Sequence, residues 1–394
     1  MTWRRVALRE LGQIVGGGTP KTSISENFGD DYPWITPKDL SRQKERFVSR
    51  GERGITTRGL GSSSAKLLPK GTVLLSSRAP IGLTAIAAQP VTTNQGCRSF
   101  VPGPEADSLF MYYLLGSMTD EFNRKANGST FKEISGSTLA GIEVQIPPLP
   151  EQRAIAATLG ALDDKIESNR RAIALTFEVV TTMLSSGAEH IRLGDIATVT
   201  KGLSYKGAGL DDGTGVGALP MLNLASFTTT GELKSAGTKW YTGAFKPQHA
   251  LSPWEVVLAN TDLTQARELL GRGFLVPPQY EGALHTHHTS VVRFFERSEY
   301  NLLLWAQLQT AEFRDRAKGF ATGTTVAALP PEAVLDFELT VPADLHALLD
   351  RARLMIEKAW QLERESETLK ATRDELLPEL LAGRIRAADL EVAP

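Results

Sequence analysis

Two stretches of the chain repeat apolar residues in alternating steps of four and three. In the first stretch, which follows "PPLPEQR", the repeating residues are Ile155, Leu159, Leu162, Ile166, Ile173, Val180 and Met183. In the second stretch they are Leu345, Leu348, Ala352, Met355, Ala359, Leu362, Leu369 and Leu376. Each repeat is roughly three times as long as an average helix of about 11–12 residues. A seven-residue apolar repeat of this length favours a coiled coil over a pair of ordinary amphipathic core helices.

The two predicted helices carry signals at their ends and along their apolar seam. Pro150 suits the first helical turn, and Pro378 is expected to kink or stop the second helix. Asn169 and Thr176 occupy seam positions, where polar residues either fix the register of two helices or are tolerated accidents. At 1.5 Å per residue, each helix would span about 50 Å.

The segments outside the helices repeat one another. Four pairs of similar stretches occur in the same order: "LGQI" (11–14) with "LGDI" (193–196), "YPWITPKDL" (32–40) with "LPMLNLASF" (219–227), "LLPKGTVLLSSR" (67–78) with "ALSPWEVVLANT" (250–261), and "GSTFKEISGSTLAGIEVQIP" (128–147) with "GTTVAALPPEAVLDFELTVP" (323–342). The last pair aligns without a gap. Because all four matches keep one order, they indicate an internal repeat rather than chance similarity.

The repeat and the helices together predict an α/β protein with a pseudo-two-fold internal repeat. The predicted segments are a first domain at 1–150, a spacer helix at 151–187, a second domain at 188–343, and a C-terminal helix and tail at 344–394. The second helix starts at the second domain, so packing against the first helix makes the pair antiparallel. Two similar domains about 50 Å apart, or about one and a half turns of B-DNA, suit a ligand that repeats along its length.

Composition and charge narrow the class of protein. A chain of 394 residues with 41% hydrophobic and 22% charged residues is typical of a globular protein with at least two domains. No apolar run reaches the ~18 residues of a membrane span, and "MTWRRVALREL" does not resemble a signal peptide. The single cysteine, Cys97, excludes an intrachain disulfide and fits a reducing compartment. We therefore expect a cytoplasmic protein without a membrane partner.

The charge is distributed unevenly along the chain. The net charge of −2 argues against a nonspecific nucleic-acid binder. Residues 38–78, however, contain ten basic residues and only three acidic ones. An excess of this size is a candidate footprint for a polyanion, and a well-solvated loop is the alternative.

The opening loop "GGGTPKTS" (16–23) lacks the features of a nucleotide-binding loop. The pattern G-x-x-x-x-G-K-S/T requires glycines where this chain has Val15 and Pro20, and proline has no N–H to offer a phosphate. The sequence also has no G-x-G-x-x-G after a predicted strand. We therefore expect no nucleotide cofactor on this chain.

Three parts of the sequence resemble the specificity subunits of type I restriction–modification systems. They are the central segment "PPLPEQRAIAATLGALDDKIESNRR" (147–171), the C-terminal segment "LKATRDELLPELLAGRIR" (369–386), and "GGGTP", "YPWITPKDL" and "LLSSRAPIG" of the first domain. The resemblance covers nearly the whole chain. The second domain departs from the pattern, because "PLPEQR" is missing there and "SSRAPIG" is replaced by "ANTDLTQAR".

The resemblance implies a non-catalytic DNA-recognition subunit. Two target recognition domains would each read half of a bipartite, asymmetric site in double-stranded DNA, separated by antiparallel coiled-coil helices. The helices would dock two copies of a methyltransferase subunit, and restriction subunits would join the complex. S-adenosylmethionine and ATP would bind to those partners, in keeping with the missing N/D-P-P-F/Y motif of adenine methyltransferases. The alternative is a two-headed coiled-coil adaptor that binds protein partners.

Candidate DNA contacts in the first domain divide between the phosphate backbone and the base edges. Lys21 and Lys38 are candidates for phosphate contacts, with solvated surface lysines as the alternative. Arg78 is a candidate for a bidentate contact to guanine, with a phosphate contact or a salt bridge as alternatives. Asn94 and Gln95 have the amide geometry to pair with adenine but also suit a turn. The remaining candidates are Thr36, Ser129, Thr130 and Lys132 and, in the second copy, Thr324 and Thr325. Helix capping is the alternative for the hydroxyls of Ser129, Thr130, Thr324 and Thr325.

The second domain contains "LHTHHTS" (284–290), with three of the six histidines of the chain. A metal site is disfavoured because no cysteine or carboxylate lies nearby and H-x-H-H is not a usual zinc spacing. The stretch aligns with "TTNQGC" of the first domain, so His287 and His288 are predicted to contact DNA. Further candidates are Lys201, Tyr205, Lys206, Asn223, Asn260 and Thr261.

A last set of charged and polar residues lies largely outside the apolar seam of the first helix. Solvated flanks of a coiled coil explain such residues, whereas the family resemblance favours docking of a partner subunit. The predicted docking residues are Glu151, Gln152, Arg153, Asp163, Asp164, Arg170 and Arg171.

Overall fold

A computed structural model describes residues 3–128, 132–228, 233–234, 237–264, 266–323 and 326–390. The chain divides into two compact units, each of mixed α/β structure. The first unit comprises Met1–Ser168 together with Ser366–Pro394, and the second comprises Asn169–Glu365. None of the helices in the described ranges has both the length and the apolar character that a membrane span requires.

The described part of the first unit contains ten strands and six short helices. The strands are β1 Arg4–Ala7, β2 Gly12–Gly16, β3 Phe28–Ile35, β4 Phe47–Val48, β5 Arg53–Ile55, β6 Val73–Ser77, β7 Ile81–Ala87, β8 Thr92–Thr93, β9 Arg98–Pro102 and β10 Glu143–Ile146. The helices are α1 Leu8–Leu11, α2 Pro37–Arg42, α3 Thr57–Gly61, α4 Ser108–Ser117, α5 Thr119–Lys125 and α6 Gly136–Ala140. A long helix, α7 Leu149–Leu184, begins in this unit.

Two sheets and one antiparallel strand pair organise the first unit. One sheet has the strand order β2-β9-β6-β7-β4, the other has the order β5-β3-β8, and β1 pairs with β10. Strand β6 is buried along its whole length because α4 covers one of its faces. Asp107 starts α4 by accepting hydrogen bonds from the backbone amides of Leu109 and Phe110, both at 3.0 Å. The core includes Phe100 and Phe110, and also Leu380 near the C-terminus.

The second unit repeats this plan with different strand lengths. In the described residues its strands are β11 Glu189–Arg192, β12 Ala197–Lys201, β13 Leu210–Asp211, β14 Leu219–Leu222, β15 Lys239–Tyr241, β16 Val256–Ala259, β17 Thr261–Asp262, β18 Gly273–Leu275, β19 Leu284–His285, β20 Thr289–Phe294, β21 Ala327–Ala328 and β22 Glu338–Val341. The helices are α8 Tyr300–Leu308, α9 Ala311–Phe320, α10 Pro331–Leu335 and the long α11 Leu345–Leu381.

The internal repeat of the sequence corresponds to a repeat of strand pairing. The pair β11-β22 matches β1-β10, and the order β12-β20-β16 matches β2-β9-β6. In both units a strand pairs in parallel with a two-residue strand, β3 with β8 and β14 with β19. Parallel neighbours need a long crossover, so this shared feature is a specific sign that the two units have the same topology.

The two long helices confirm the apolar periodicity in most positions. In α7 the seam residues Ile155, Leu159, Ile173 and Val180 are buried, and Asn169 is buried with them. Within the second unit, the Nδ2 of Asn169 donates to a carboxylate oxygen of Glu365 at 2.9 Å. Further along, Phe177 of α7 lines a small cavity with Ile356 and Trp360 of α11, so the two segments run antiparallel in this unit.

The prediction that Pro378 would kink or stop the second helix is wrong as far as stopping is concerned. Helix α11 continues through this proline to Leu381. Pro378 lies in the last turn, where its missing N–H removes only one backbone hydrogen bond. Its own carbonyl still accepts a hydrogen bond from the amide of Ala382 at 3.0 Å.

Candidate nucleic-acid interface

The turn at residues 94–97 is the centre of the polar surface in the first unit. The side-chain oxygen of Asn94 accepts a hydrogen bond from the backbone amide of Gly96 at 2.9 Å, which closes the turn. The backbone amide of Asn94 donates to the carbonyl of Ile35 at 3.0 Å, and that of Ser77 donates to the carbonyl of Gly96 at 2.8 Å. The turn therefore joins the ends of β3 and β6.

The glycines of the opening loop pack against this turn. The backbone amide of Gly18 donates to the carbonyl of Thr93 at 2.9 Å. A Cβ at Gly17 would overlap the carbonyl oxygen of Asn94, and a Cβ at Gly18 would overlap the backbone of Ala65. These glycines are therefore required for close approach within the protein.

Two arginines share one carboxylate beside the turn. Arg98 lies 3.1 Å from a carboxylate oxygen of Glu133, and Arg78 lies 3.7 Å from the other oxygen. Arg98 also donates to the carbonyl of Gln95 at 3.0 Å, so its guanidinium is held in a fixed orientation. The salt bridge foreseen as an alternative for Arg78 is thus present. Sequence reasoning missed Arg98 and Glu133, although both lie within a few residues of predicted candidates.

The other predicted residues of the first unit surround this centre. The hydroxyl of Thr36 caps α2 by accepting a hydrogen bond from the backbone amide of Asp39. Lys38 pairs with Glu52 at 2.6 Å, and this hydrogen bond holds the pKa of the Glu52 carboxyl below its ordinary value. The side-chain oxygen of Gln95 accepts a hydrogen bond from the hydroxyl of Thr19.

Two predicted lysines of the first unit have exposed side chains. Within the described ranges, neither Lys21 nor Lys132 forms an ion pair with any carboxylate. The predicted residues Ser129, Thr130, Thr324 and Thr325 lie outside the described residues.

The second unit has the same set of backbone hydrogen bonds around an equivalent turn, and we call this set the framework. The side chains that it carries are different. The backbone amide of Leu203 donates to the carbonyl of His285 at 2.7 Å, as that of Gly18 does to Thr93. The amide of Asn260 donates to the carbonyl of His288 at 3.0 Å, as that of Ser77 does to Gly96. By these matching bonds His287 and His288 take the places of Gln95 and Gly96, and Thr261 takes the place of Arg78.

The two adjacent histidines stand at the surface of the second framework. Their rings lie 4.0 Å apart, and the Nδ1 of His288 lies 2.9 Å from the hydroxyl of Thr261. Partial burial, together with nearby His287 and Lys201, lowers the pKa of His288 below its ordinary value. Neutral imidazole offers one donor and one acceptor, which suits recognition of an uncharged base edge.

The third histidine of the stretch belongs to the core. His285 is fully buried, and its Nδ1 lies 3.1 Å from the hydroxyl of Thr289. Burial lowers the pKa of His285 to about 3. Across the described ranges, no group of three histidine, cysteine, aspartate or glutamate side chains has an arrangement that holds a metal ion.

Basic and aromatic groups border these histidines. Lys201 and Lys206 are exposed. The hydroxyl of Tyr205 accepts a hydrogen bond from the ammonium of Lys239 at 2.5 Å, and the same ammonium lies 5.0 Å from the centre of the Tyr205 ring. Sequence reasoning did not identify Lys239, because it lies in a segment without a counterpart motif in the first domain.

Two residues predicted to contact DNA in the second unit are buried. The buried amide of Asn223 caps the following turn and donates to the carbonyl of Gly237 at 2.6 Å. The buried amide of Asn260 donates to the hydroxyl of Ser290 at 2.9 Å. The amide nitrogens of both side chains thus donate to groups of their own domain.

Two of the predicted docking residues are buried as well. Gln152 is buried, its side-chain oxygen accepts from the amide of Asp107 at 2.9 Å, and its amide nitrogen donates to two backbone carbonyls. Asp163 is buried and bonded to Tyr113 and Arg373. Asp164 pairs with Arg46 but keeps most of its side chain exposed. The remaining docking candidates, Glu151, Arg153, Arg170 and Arg171, are half-buried or exposed.

The chain thus consists of two α/β units of the same topology. Both units have the same backbone framework, but the side chains on it differ. Residues 1–175 match the family model of the type I restriction modification DNA specificity domain. The same part of the chain is similar to proteins named type I restriction enzyme specificity subunits. The resemblance recognised in the sequence is thereby confirmed over residues 1–175.

Two curated relatives and one solved structure illustrate the match. The specificity subunit of the type I restriction enzyme MjaIX from Methanocaldococcus jannaschii is 44% identical over 171 residues, 43% of this chain and 40% of that protein. The HindI specificity subunit from Haemophilus influenzae is 30% identical over 176 residues, 43% of this chain and 38% of that protein. The chain thus spans about two fifths of the length of these relatives. A crystal structure of a type I restriction-modification system S subunit from M. genitalium has the same fold, with a TM-score of 0.58, 16% identity, and 96% of each chain covered.

Proposed function

We propose that this protein reads a bipartite, asymmetric DNA sequence for a type I restriction–modification complex. The observation that carries the proposal is the framework found in both units, in which equivalent backbone bonds present different side chains. Arg78, Arg98 and Gln95 occupy the first framework, whereas Thr261, His287 and His288 occupy the second. A guanidinium pair and an imidazole pair have different hydrogen-bonding patterns, so the two half-sites should differ in sequence.

The two long helices are proposed to serve as spacer and docking site. Their apolar repeat favours an antiparallel coiled coil between the two target recognition domains. We propose that two copies of a methyltransferase subunit bind along this region and that restriction subunits join them. S-adenosylmethionine and ATP would then bind to these partners, and the chain itself would be non-catalytic.

The test is co-expression of the full chain with the methyltransferase subunit of its own system, followed by mapping of methylated adenines in the host DNA. The proposal predicts one bipartite motif with a fixed gap and two different halves. Exchange of residues 1–150 for those of a related protein should change one half and leave the gap unchanged. A continuous motif, or no methylation by an assembled complex, would refute the proposal.

A further inference from the structure

A polar stripe interrupts the apolar face of α7 within the first unit. Glu167 lies four residues after Asp163 and three after Asp164, so it shares a side of the helix with each of them. This face is directed at the body of the first unit, where the buried positions of the stripe meet Arg46, Tyr113 and Arg373. The stripe therefore forms part of the attachment of α7 to the first target recognition domain.

Asp163 joins three helices through its two carboxylate oxygens. One oxygen accepts a hydrogen bond from the hydroxyl of Tyr113 in α4 at 2.6 Å. The other accepts from the guanidinium of Arg373 in α11 at 2.7 Å. Burial and the hydrogen bond to Asp163 raise the pKa of Tyr113 well above its ordinary value, so the phenol remains a donor. Each bond is directional, and together they specify where α7 lies relative to α4 and α11.

Arg46 joins the same helix to a sheet. Its side chain is only 5% exposed, pairs with Asp164, and lies 3.7 Å from Glu167. Its backbone amide donates to Glu167 at 3.1 Å, and its carbonyl accepts from the amide of Ile86 in β7 at 2.7 Å. One residue thus connects the stripe on α7 to a strand through both its main chain and its side chain.

Gly160 allows the helix to lie close to this attachment. A Cβ at this position would lie 3.2 Å from the guanidinium of Arg46 and 3.2 Å from the Leu109 side chain. An alanine here would require both side chains to shift by a few tenths of an ångström. Glycine is unfavourable inside a helix, so its presence here fits a position where close approach matters.

Apolar contacts alone would hold α7 less specifically than these bonds. Hydrophobic burial has no preferred direction, whereas hydrogen bonds between heavy atoms tolerate lengths of about 2.5–3.2 Å. A gap changed by one base pair would require the first domain to move by about 3.4 Å and to turn by roughly 35° along the DNA. None of the bonds of Asp163 or Arg46 would survive a shift of that size within their unit.

We infer that Asp163 and Arg46 are positioning residues that hold the first domain in one place on α7 and thereby restrict the complex to one gap length. The inference rests on the proposed function, since a gap exists only if the DNA site is bipartite. Asp163 and Arg46 would act through the placement of the domain, and neither would need to touch DNA.

The test measures gap selectivity in the assembled methyltransferase complex. Duplexes carrying both half-motifs of the wild-type protein, with the native gap or a gap one base pair shorter or longer, are methylated by each variant. Asp163→Asn keeps an acceptor for Tyr113 but removes the charge opposite Arg373, and Arg46→Gln removes the charge opposite Asp164. We expect each to lower the preference for the native gap by about tenfold or more while both half-motifs stay the same. Arg46→Lys, which keeps the charge, should restore part of the preference.

The matched control is Glu379→Gln, which breaks an exposed ion pair between Glu379 of α11 and Arg384 in the same unit. This variant should keep the wild-type gap preference. Equal loss of methylation at all three gaps in the Asp163 and Arg46 variants would show a purely structural role and overturn the inference. If Asp163→Asn does not fold, as judged by circular dichroism, an unchanged preference in Arg46→Lys and Arg46→Gln overturns it. A wild-type complex without a bipartite motif would instead refute the proposed function.

Discussion

The lysines of the first framework should differ in what they contribute to DNA binding. Within the described ranges, Lys21 and Lys132 form no ion pair that a phosphate contact would have to replace, whereas the ammonium of Lys38 lies 2.6 Å from a carboxylate oxygen of Glu52. Each phosphate contact contributes about 0.9 to the slope of log affinity against log salt. Loss of one contact should therefore change the ratio of affinities at 50 and 200 mM salt by about 3.5-fold. Lys38 must give up Glu52 to bind a phosphate, so its loss should change the slope by less.

The assay is the affinity of the assembled complex for a fluorescent duplex bearing its motif, measured by anisotropy across that salt range. We expect Lys21→Ala and Lys132→Ala each to lower the slope by about 0.9, and the double variant by about 1.8. Lys38→Ala serves as the matched comparison and should lower the slope by clearly less. Slopes that do not change in the Lys21 and Lys132 variants would show that these lysines do not face DNA, and an equal effect of Lys38→Ala would refute the reasoning from ion pairing.

Three further predictions concern the fold. Trp254 has a φ of +69°, and its ring centre lies 4.5 Å from that of Trp360. Because a left-handed backbone costs a residue with a Cβ about 1–2 kcal/mol, Trp254→Gly should unfold at a urea concentration at least as high as Trp254→Ala. A glycine variant that unfolds at less urea than the alanine variant would contradict this. Since the pKa of His285 is lowered to about 3, the unfolded chain binds its proton first as the pH falls below about 6.5. The free energy of unfolding should then fall by up to ~1.4 kcal/mol per pH unit between pH 6.5 and about pH 3. In urea titrations at several pH values, the free energy of unfolding of His285→Gln should depend less steeply on pH, and the same pH dependence as in the wild type would refute the prediction. Burial raises the pKa of Cys97 to about 12, so a thiol reagent at pH 8 should label the urea-unfolded chain but not the native one, and rapid native labelling would disprove its burial.

Local chemistry explains why several predicted residues took other roles. Asn223 and Thr36 have polar side chains of the kind that contact bases, yet each caps the turn or helix that follows a strand. Capping uses the same oxygen that would accept from DNA, so sequence alone leaves the two uses open. The glycines at 17 and 18 are a similar case, since close packing and phosphate binding both require a missing side chain.

The sequence by itself determined the features that depend on regular spacing. The apolar steps of four and three predicted α7 and α11, and the ordered matches predicted two units with one topology. Both signals are spread over many residues, so an exception such as Pro378 does not remove them. The resemblance to specificity subunits rests on the same extended stretches and agrees with the match over residues 1–175.

Only the tertiary structure decided which polar groups are enclosed and which meet at the surface. Arg98 meets Glu133 across 35 positions of sequence, and Asp163 meets Arg373 across 210. A charged residue on a helix has the same local sequence whether it faces water or a buried partner. Its role depends on the free energy of desolvation and on the partner that offsets it, and that partner is placed by the fold of distant segments.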